Sequence, residues 1–410
     1  MARAFASGSP FCWICDLTDH QTDEIDGLVD ALTALFPDGA VLHEPAFEGA
    51  EWAYVKECVD TGWVSTAGSY VSKFESMLAE VTGAQSVSST VSGTAALHMC
   101  LLLAGVKLDE EVIVPTLTFA GTANAVAHCH AVPHLVDINA QDLGIDAVRL
   151  DAYLDDITSI RGGTCVNDLT GRPIRAVVCV HVFGHAADLD ALVEVCDRHC
   201  LTLIEDAAES LGTYYNGIHT GNHGRLAALS FNGNKIVTTG GGGAVMTNDP
   251  ELGRRARHLT TTAKLPHAWE YDHDQVGYNY RMPNINAALG CAQLERLEGY
   301  VERKRELAFS YAKKFANLPG IAVISEPPRS QSNYWLNAII LDQSLAVRRE
   351  ELLRRCHENN VLVRPAWNPM HRLKPFRDCP RMEVSVAEDL CERILNLPSS
   401  ATLRLSELGD

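Results

Sequence analysis

Between Gln85 and Asp249 the chain repeats one rhythm: a short apolar run rich in β-branched residues, then a stretch with the length and period of a helix. The runs are Ser86 to Val91, Glu111 to Val114, Val132 to Asp137, Arg175 to Val182, Leu201 to Glu205, Ala227 to Phe231 and Ala244 to Thr247. Thr94 to Gly105, Gly121 to Ala131 and Leu189 to His199 carry the helical period between them. Short strands that are apolar throughout need cover on both faces, and helix-length crossovers connect parallel neighbours. The expectation is an α/β domain: a mostly parallel sheet with helices on both faces.

Outside this region the rhythm changes. Residues 1–44 read as an N-terminal arm with one amphipathic helix, Thr22 to Phe36, ended by Pro37 and Gly39. The large domain is expected over 45–297 and includes a helix from Asn284 to Leu297 after Pro283. A long helix, Tyr300 to Asn317, stops at Pro319-Gly320 and connects to a smaller C-terminal α+β domain, giving 298–410 as the second unit. That unit is expected to hold strands at Ile321 to Ile324, Tyr334 to Leu341 and Val361 to Arg364, with helices at Arg348 to Asn359 and Val386 to Leu395.

Charge and cysteine usage exclude several functions. The 34 basic and 52 acidic side chains give a net charge of −18 with no basic tract, which argues against a nucleic-acid or anionic-membrane surface. No apolar stretch reaches the ~20 residues that a membrane span needs. Thirteen cysteines is an odd number, and Cys100, Cys196 and Cys291 sit in apolar helical stretches, so a reducing cytoplasm fits better than a disulfide framework. No secretory signal is read in the first residues. Cys12 and Cys15, with His20 nearby, lack a second ligand pair and read as packed thiols of the arm, so no metal is expected. His128, Cys129 and His130 point in different directions on a helix and are not read as ligands.

The chemistry concentrates in two windows, LIEDAAESLG and SFNGNKIVTTGGGGAV. Asp206 falls at the carboxyl end of a predicted strand, where open α/β sheets place their ligands. Lys235 lies in a glycine-rich turn, five residues after Ser230, and is a candidate amine nucleophile. A phosphate-binding P-loop is excluded, because Asn234 and Ile236 stand where that motif requires Gly and Ser/Thr.

The runs SGTAALHMCLLLAG, VPTLTFAGTANAV, EDAAESLG, SFNGNKIVTTGGGGA and GYNYRMPNINAALGCAQL, in this order, resemble the DegT/DnrJ/EryC1/StrS family of pyridoxal-phosphate sugar aminotransferases. The resemblance covers about residues 43–400 and implies a fold-type-I architecture. It implies that Lys235 holds pyridoxal 5'-phosphate as a Schiff base and later moves the proton, and that Asp206 pairs with the pyridine nitrogen. By the same resemblance Gly93, Thr94, Ser230 and, from a neighbouring subunit, Asn279 hold the phosphate. Phe119 stacks on the ring, and Glu209 stands where many members carry Gln. Read alone, Gly93-Thr94 is equally a helix cap and Phe119 a core residue.

For the sugar the resemblance points to Arg281, His371, Trp63, Ser65 and Thr66, with His181 at a strand end facing the same crevice. Arg281 could equally form an ion pair, His371 cap a turn, and His181 be a satisfied strand-end residue. LHEPAFEG, DTGWVS, HLTTTAKLPHAWE and SNYWLNAI are similar to the legionaminic-acid and bacillosamine branch, which aminates C4. The implied reaction moves nitrogen from L-glutamate, leaving 2-oxoglutarate and pyridoxamine 5'-phosphate, to UDP-4-keto-6-deoxy-N-acetylglucosamine in a homodimer. Alternatives are a GDP-4-keto-6-deoxymannose (perosamine-type) enzyme, a 3-keto sugar enzyme, and a non-catalytic metal- or cofactor-binding regulator on the same scaffold.

Overall fold

In the computed structural model, which describes residues 24–403, the alternating region forms one nine-stranded sheet. In chain order its strands are β1 (Ser86–Thr90), β2 (Glu111–Pro115), β3 (Val132–Val136), β4 (Thr158–Arg161), β5 (Thr164–Asn167), β6 (Pro173–Val180) and β7 (Thr202–Asp206). After a small hairpin of β8 (Tyr214–Tyr215) and β9 (Ile218–His219) come β10 (Leu226–Ser230) and β11 (Gly243–Thr247). Across the sheet the order is β1-β11-β10-β7-β6-β2-β3, with the β4–β5 hairpin paired onto β6. β10, β7, β6, β2 and β3 run parallel, and β11 is antiparallel to both neighbours. β1, β2, β6, β7 and β10 therefore end at the same edge, which brings the residues just past them to one crevice.

Helices α1 (Glu24–Leu35), α2 (Glu51–Thr61), α3 (Ser69–Thr82), α4 (Gly93–Leu103), α5 (Ala120–His128), α6 (Ala147–Ile157), α7 (Leu189–Arg198), α8 (Pro250–Thr260) and α9 (Asn284–Leu294) precede a long α10 (Leu297–Phe315). Side-chain caps fix several starts: Asp146, Asp188 and Asp249 each accept from the first turn of α6, α7 and α8. The sheet alternates with period two between its covers. Val112 and Val114 pack with α4, α5 and α8, whereas Ile113 packs with α6 and α7 on the other face. α3 and α9 close a further core around Phe74, Leu229 and Phe231.

The C-terminal sheet has the order β12 (Ile321–Val323), β14 (Asn337–Leu341), β16 (Ile394–Leu397), β15 (Arg364–Pro365), and is antiparallel throughout. Short β13 (Ser330–Gln331) pairs with β8. The helices here are α11 (Gln343–Ala346), α12 (Arg349–Glu358) and α13 (Ser385–Arg393). The helix read in the N-terminal arm docks into this unit: Ile25, Leu28, Leu32 and Leu35 share a core with Leu307, Tyr311, Phe315, Ile339 and Leu352.

Three local expectations shift. The helix expected to reach Leu395 ends at Arg393, because Ile394 turns extended and starts β16. Tyr334 sits at φ +48°, which keeps it out of the ladder, so that strand starts at Asn337. Val361 makes only a lone parallel bridge to Ala40, and the ladder begins at Arg364. Cys12, Cys15 and His20 lie outside the described residues. No helix among the described residues is long and apolar enough to cross a membrane.

Candidate active site

Lys235 follows β10 in a turn closed by its own N–H on the Asn232 carbonyl at 2.9 Å. Its side chain is 13% exposed, and Nζ donates to Oε1 of Glu209 at 3.2 Å. The same Nζ lies 3.8 Å from the centroid of the Trp335 ring, a cation–π contact. Trp335 is itself fixed: Nε1 donates to the Asn234 carbonyl at 2.7 Å, and its backbone N–H to Oδ1 of Asn333 at 2.8 Å. The other Glu209 oxygen accepts from the Phe183 N–H at 2.9 Å. Burial pushes the Glu209 carboxyl up, opposed by the Lys235 charge and the Phe183 N–H.

Asp206 ends β7 and is buried. Its Oδ2 accepts from the Thr122 hydroxyl at 2.8 Å, and Thr122 also bonds Thr118 at 2.9 Å. Burial raises the Asp206 carboxyl, and the Thr122 bond and the Lys235 charge work against it. A carboxylate held so deep seeks a cationic partner such as a protonated ring nitrogen.

Gly93 and Thr94 open α4, where free N–H groups and the helix dipole attract an anion. The loop has no room for a side chain at Gly93, since a Cβ there would sit 2.7 Å from that of Ser230. At Gly121 a Cβ would lie 3.0 Å from the Phe119 ring and 3.2 Å from the Thr94 hydroxyl. Gly93, Thr94, Phe119 and Ser230 are thus gathered at one sheet edge. Phe119 is 59% exposed, so it offers a ring to a ligand and is not a core residue. An amine, a buried carboxylate, an exposed ring and a close-packed anion cradle fit pyridoxal phosphate. Bound there, the cofactor supplies an electron sink for the carbon that loses its proton.

The substrate expectations divide. Trp63, Ser65 and Thr66 are exposed between α2 and α3. Asn284 anchors that loop, with Nδ2 on the Trp63 carbonyl at 2.6 Å and N–H on the Ser65 carbonyl at 2.9 Å. Asn279 is exposed on a segment bridged to Thr261. His181 needs correction: it is fully buried, with Nε2 3.0 Å from Glu205 and Nδ1 accepting from the Ala187 N–H at 3.2 Å, so neither nitrogen faces the crevice. His371 is likewise tied within the chain, between the Thr116 hydroxyl at 2.8 Å and Glu388 at 3.0 Å. Arg281 is buried in an ion pair with Glu75, which also holds the Ser89 N–H and Arg257. Its charge is neutralised inside this chain. Thr122 lies within VPTLTFAGTANAV, and Asn333 and Trp335 within SNYWLNAI, but neither run singles them out; Thr122 stands out by its bond to Asp206, Trp335 by its contact with Lys235, and Asn333 by its bonds to the Trp335 N–H and the Glu209 carbonyl.

The DegT/DnrJ/EryC1/StrS aminotransferase family matches residues 45–409. The GDP-perosamine synthase of Escherichia coli is 36% identical over 362 residues, covering 88% of this chain and 93% of that protein. The GDP-perosamine synthase of Caulobacter vibrioides is 34% identical, covering 89% and 94%. Among solved structures, the aminotransferase TlmJ from Streptoalloteichus hindustanus superposes with a TM-score of 0.79 at 28% identity, covering 91% and 95%. DesI, determined in the presence of its TDP-sugar product, gives a TM-score of 0.78 at 25% identity, covering 94% and 93%. Since the match takes in both the sheet that carries Lys235 and the C-terminal unit that carries Trp335, the chain belongs to the DegT/DnrJ/EryC1/StrS family and is a pyridoxal-phosphate-dependent aminotransferase of nucleotide sugars.

Proposed function

We propose that this enzyme is a cytoplasmic homodimer that moves the amino group of L-glutamate to C4 of a nucleotide-linked 4-keto-6-deoxyhexose, with the GDP-linked mannose-derived ketone as acceptor. One observation carries the reading. Lys235, Glu209 and Asp206 form a transaminase constellation in a chain whose similar relatives include GDP-perosamine synthases. With the cofactor bound, Lys235 would hold it and its free Nζ would be the base that takes the proton from the donor's α-carbon in one half-reaction and the acid that gives a proton to C4 of the acceptor in the other. Glu209, bonded to that amine, steadies its charge, and Trp335 covers it from water. Asp206, oriented by Thr122, would pair with the ring nitrogen of the bound cofactor and favour its positive charge.

The resemblance of LHEPAFEG, DTGWVS and SNYWLNAI to the branch that acts on UDP-linked N-acetyl sugars favours a second acceptor, UDP-4-keto-6-deoxy-N-acetylglucosamine. Both are tested at once by following the visible absorbance of the lysine-bound cofactor. Glutamate is expected to bleach it, and the GDP-linked ketone to restore it. Restoration by the UDP-linked ketone alone assigns the second acceptor. Failure of glutamate to bleach the band overturns the donor assignment.

A further inference from the structure

Just past β6, Phe183 sits at φ +57° and ψ +14°, in the left-handed region, with its side chain fully buried. A bulky residue in that region is an outlier, because its Cβ crowds the backbone where glycine has only a hydrogen. Such a conformation persists only where the surroundings impose it, and at an active site it calls for a reason.

The peptide it creates is used in both directions. Its N–H donates to Oε2 of Glu209 at 2.9 Å, and its carbonyl accepts from the Leu336 N–H at 3.2 Å. Glu209 keeps its other oxygen for Lys235 Nζ at 3.2 Å, and Leu336 follows Trp335, the ring on which that Nζ rests. One residue therefore ties together the carboxylate and the ring that flank the amine. Glu209 is buried, so the N–H aims its carboxylate and also offsets part of the desolvation.

The flanking residues hold the turn in this shape. The His181 carbonyl accepts the Gly184 N–H at 3.3 Å, its Nδ1 accepts the Ala187 N–H at 3.2 Å, and Glu205 fixes the ring from Nε2 at 3.0 Å. Gly184, at φ +93°, leaves no room for a side chain: a Cβ there would sit 1.9 Å from Oδ1 of Asn333, the atom that accepts the Trp335 N–H. The buried His181–Glu205 pair, which touches neither Lys235 nor Glu209, thus acquires a place as the brace of this turn.

We propose that Phe183 is a positioning residue for the amine: its left-handed peptide, braced by His181, holds the Glu209 carboxylate against Lys235 and so aims Nζ for the transfer of the donor's proton. This rests on the reading of Lys235 as the base. The role belongs to the backbone at 183 and not to the phenyl ring, which packs 5.2 Å from the ring of Trp367.

The test compares Phe183→Gly and Phe183→Val with wild type, each also in a Glu209→Ala background. Glycine takes the left-handed conformation freely, whereas β-branched valine resists it but fills more of the space the ring leaves. Crystal structures of the apoenzymes read the geometry: Phe183→Gly is expected to keep the N–H of residue 183 on Glu209 and Glu209 on Lys235, and Phe183→Val to lose both. In the holoenzymes, below their thermal midpoints, glutamate is expected to bleach the lysine-bound cofactor about tenfold more slowly in Phe183→Val than in Phe183→Gly, the difference lying in the maximal rate and not in the glutamate concentration that gives half of it. Packing alone gives the opposite order, since valine leaves the smaller gap. Without Glu209 the difference is expected to vanish, because the peptide acts through that carboxylate. Equal rates in the two variants, the opposite order, or a difference that survives Glu209→Ala overturns the proposal. If Phe183→Val does not fold, Phe183→Ala takes its place and is expected to be slower than Phe183→Gly, from which it differs by one methyl group. If glutamate fails to bleach the wild type, the donor assignment falls by itself, and the apoenzyme geometry decides the role of Phe183.

Discussion

The Thr122 hydroxyl, at 2.8 Å, is the one side-chain donor to Asp206 among the described residues; the other bond comes from the Ala208 N–H at 3.3 Å. Replacing Thr122 by Val keeps the volume and removes the donor, so the buried carboxylate loses both orientation and solvation. Cofactor affinity is expected to fall about tenfold, read by titrating the apoenzyme with pyridoxal phosphate; unchanged affinity would show Thr122 to be passive. Lys235→Ala is expected to abolish turnover and the lysine-bound absorbance together, and full activity in that variant would sink the assignment of the amine. Lys235 and Asp206 could be singled out from the sequence because each stands in a local pattern, a glycine-rich turn or a strand end, whereas Gly93 and Ser230 were pointed to only by the family resemblance. The sequence could not show that His181, Arg281 and His371 each have a partner within the chain, because those partners lie 24, 206 and 255 residues away. A histidine or arginine looks the same in a sequence whether it is free or already paired.

At the scale of elements, α4 and α10 each support a part of the site. Gly93→Ala would bring a Cβ within 2.7 Å of that of Ser230 and push the α4 terminus off the anion cradle. The expected result is weaker cofactor binding with the fold retained, checked by the same titration beside a thermal melt. From α10, Lys304 reaches buried carbonyls, donating to Trp335 at 3.1 Å and also to Ser399, and so ties the strand leading from the site to the end of the C-terminal sheet. Burial brings its ammonium down to about 7. An unfolded lysine titrates near ~10.4, so between these values the unfolded chain holds a proton that the folded chain lacks, and stability rises with pH. Below 7 both states are protonated and the penalty of burying the charge is complete. Wild type is therefore expected to gain on Lys304→Met between about pH 6 and about pH 9 in paired melts, and a constant gap would show that Lys304 titrates normally. Seven strands of the main sheet were legible as short runs rich in apolar and β-branched residues between helical stretches, whereas β4 (Thr158–Arg161) and β5 (Thr164–Asn167), four residues each, carry too little pattern and were not read. β16 was not separated from α13 because the helix gives way to the strand with no glycine or proline between them.

For the molecule as a whole, the N-terminal segment is where sequence order and spatial order part. The arm looked appended because nothing in its own pattern pairs with the sheet downstream. In the fold, α1 buries Ile25, Leu28, Leu32 and Leu35 against α10, α12 and β14, and the chain then runs through Ala40 and His43 to the Lys235 pocket. A helix whose apolar stripe is completed by residues some 300 positions on is invisible to local periodicity except as a stripe awaiting a partner. The anchoring has a measurable consequence. Leu32 is 1% exposed, and Leu32→Ala would remove a packed side chain from a core that cannot fully collapse around the gap, a loss of about 2–5 kcal/mol. If α1 only stiffens the C-terminal unit, the variant melts earlier and both half-reactions persist below its midpoint. This is the expected outcome, because the core that α1 shares with α10, α12 and β14 does not include Lys235, Glu209 or Asp206; loss of either half-reaction at a temperature where the melt shows the fold intact would overturn it.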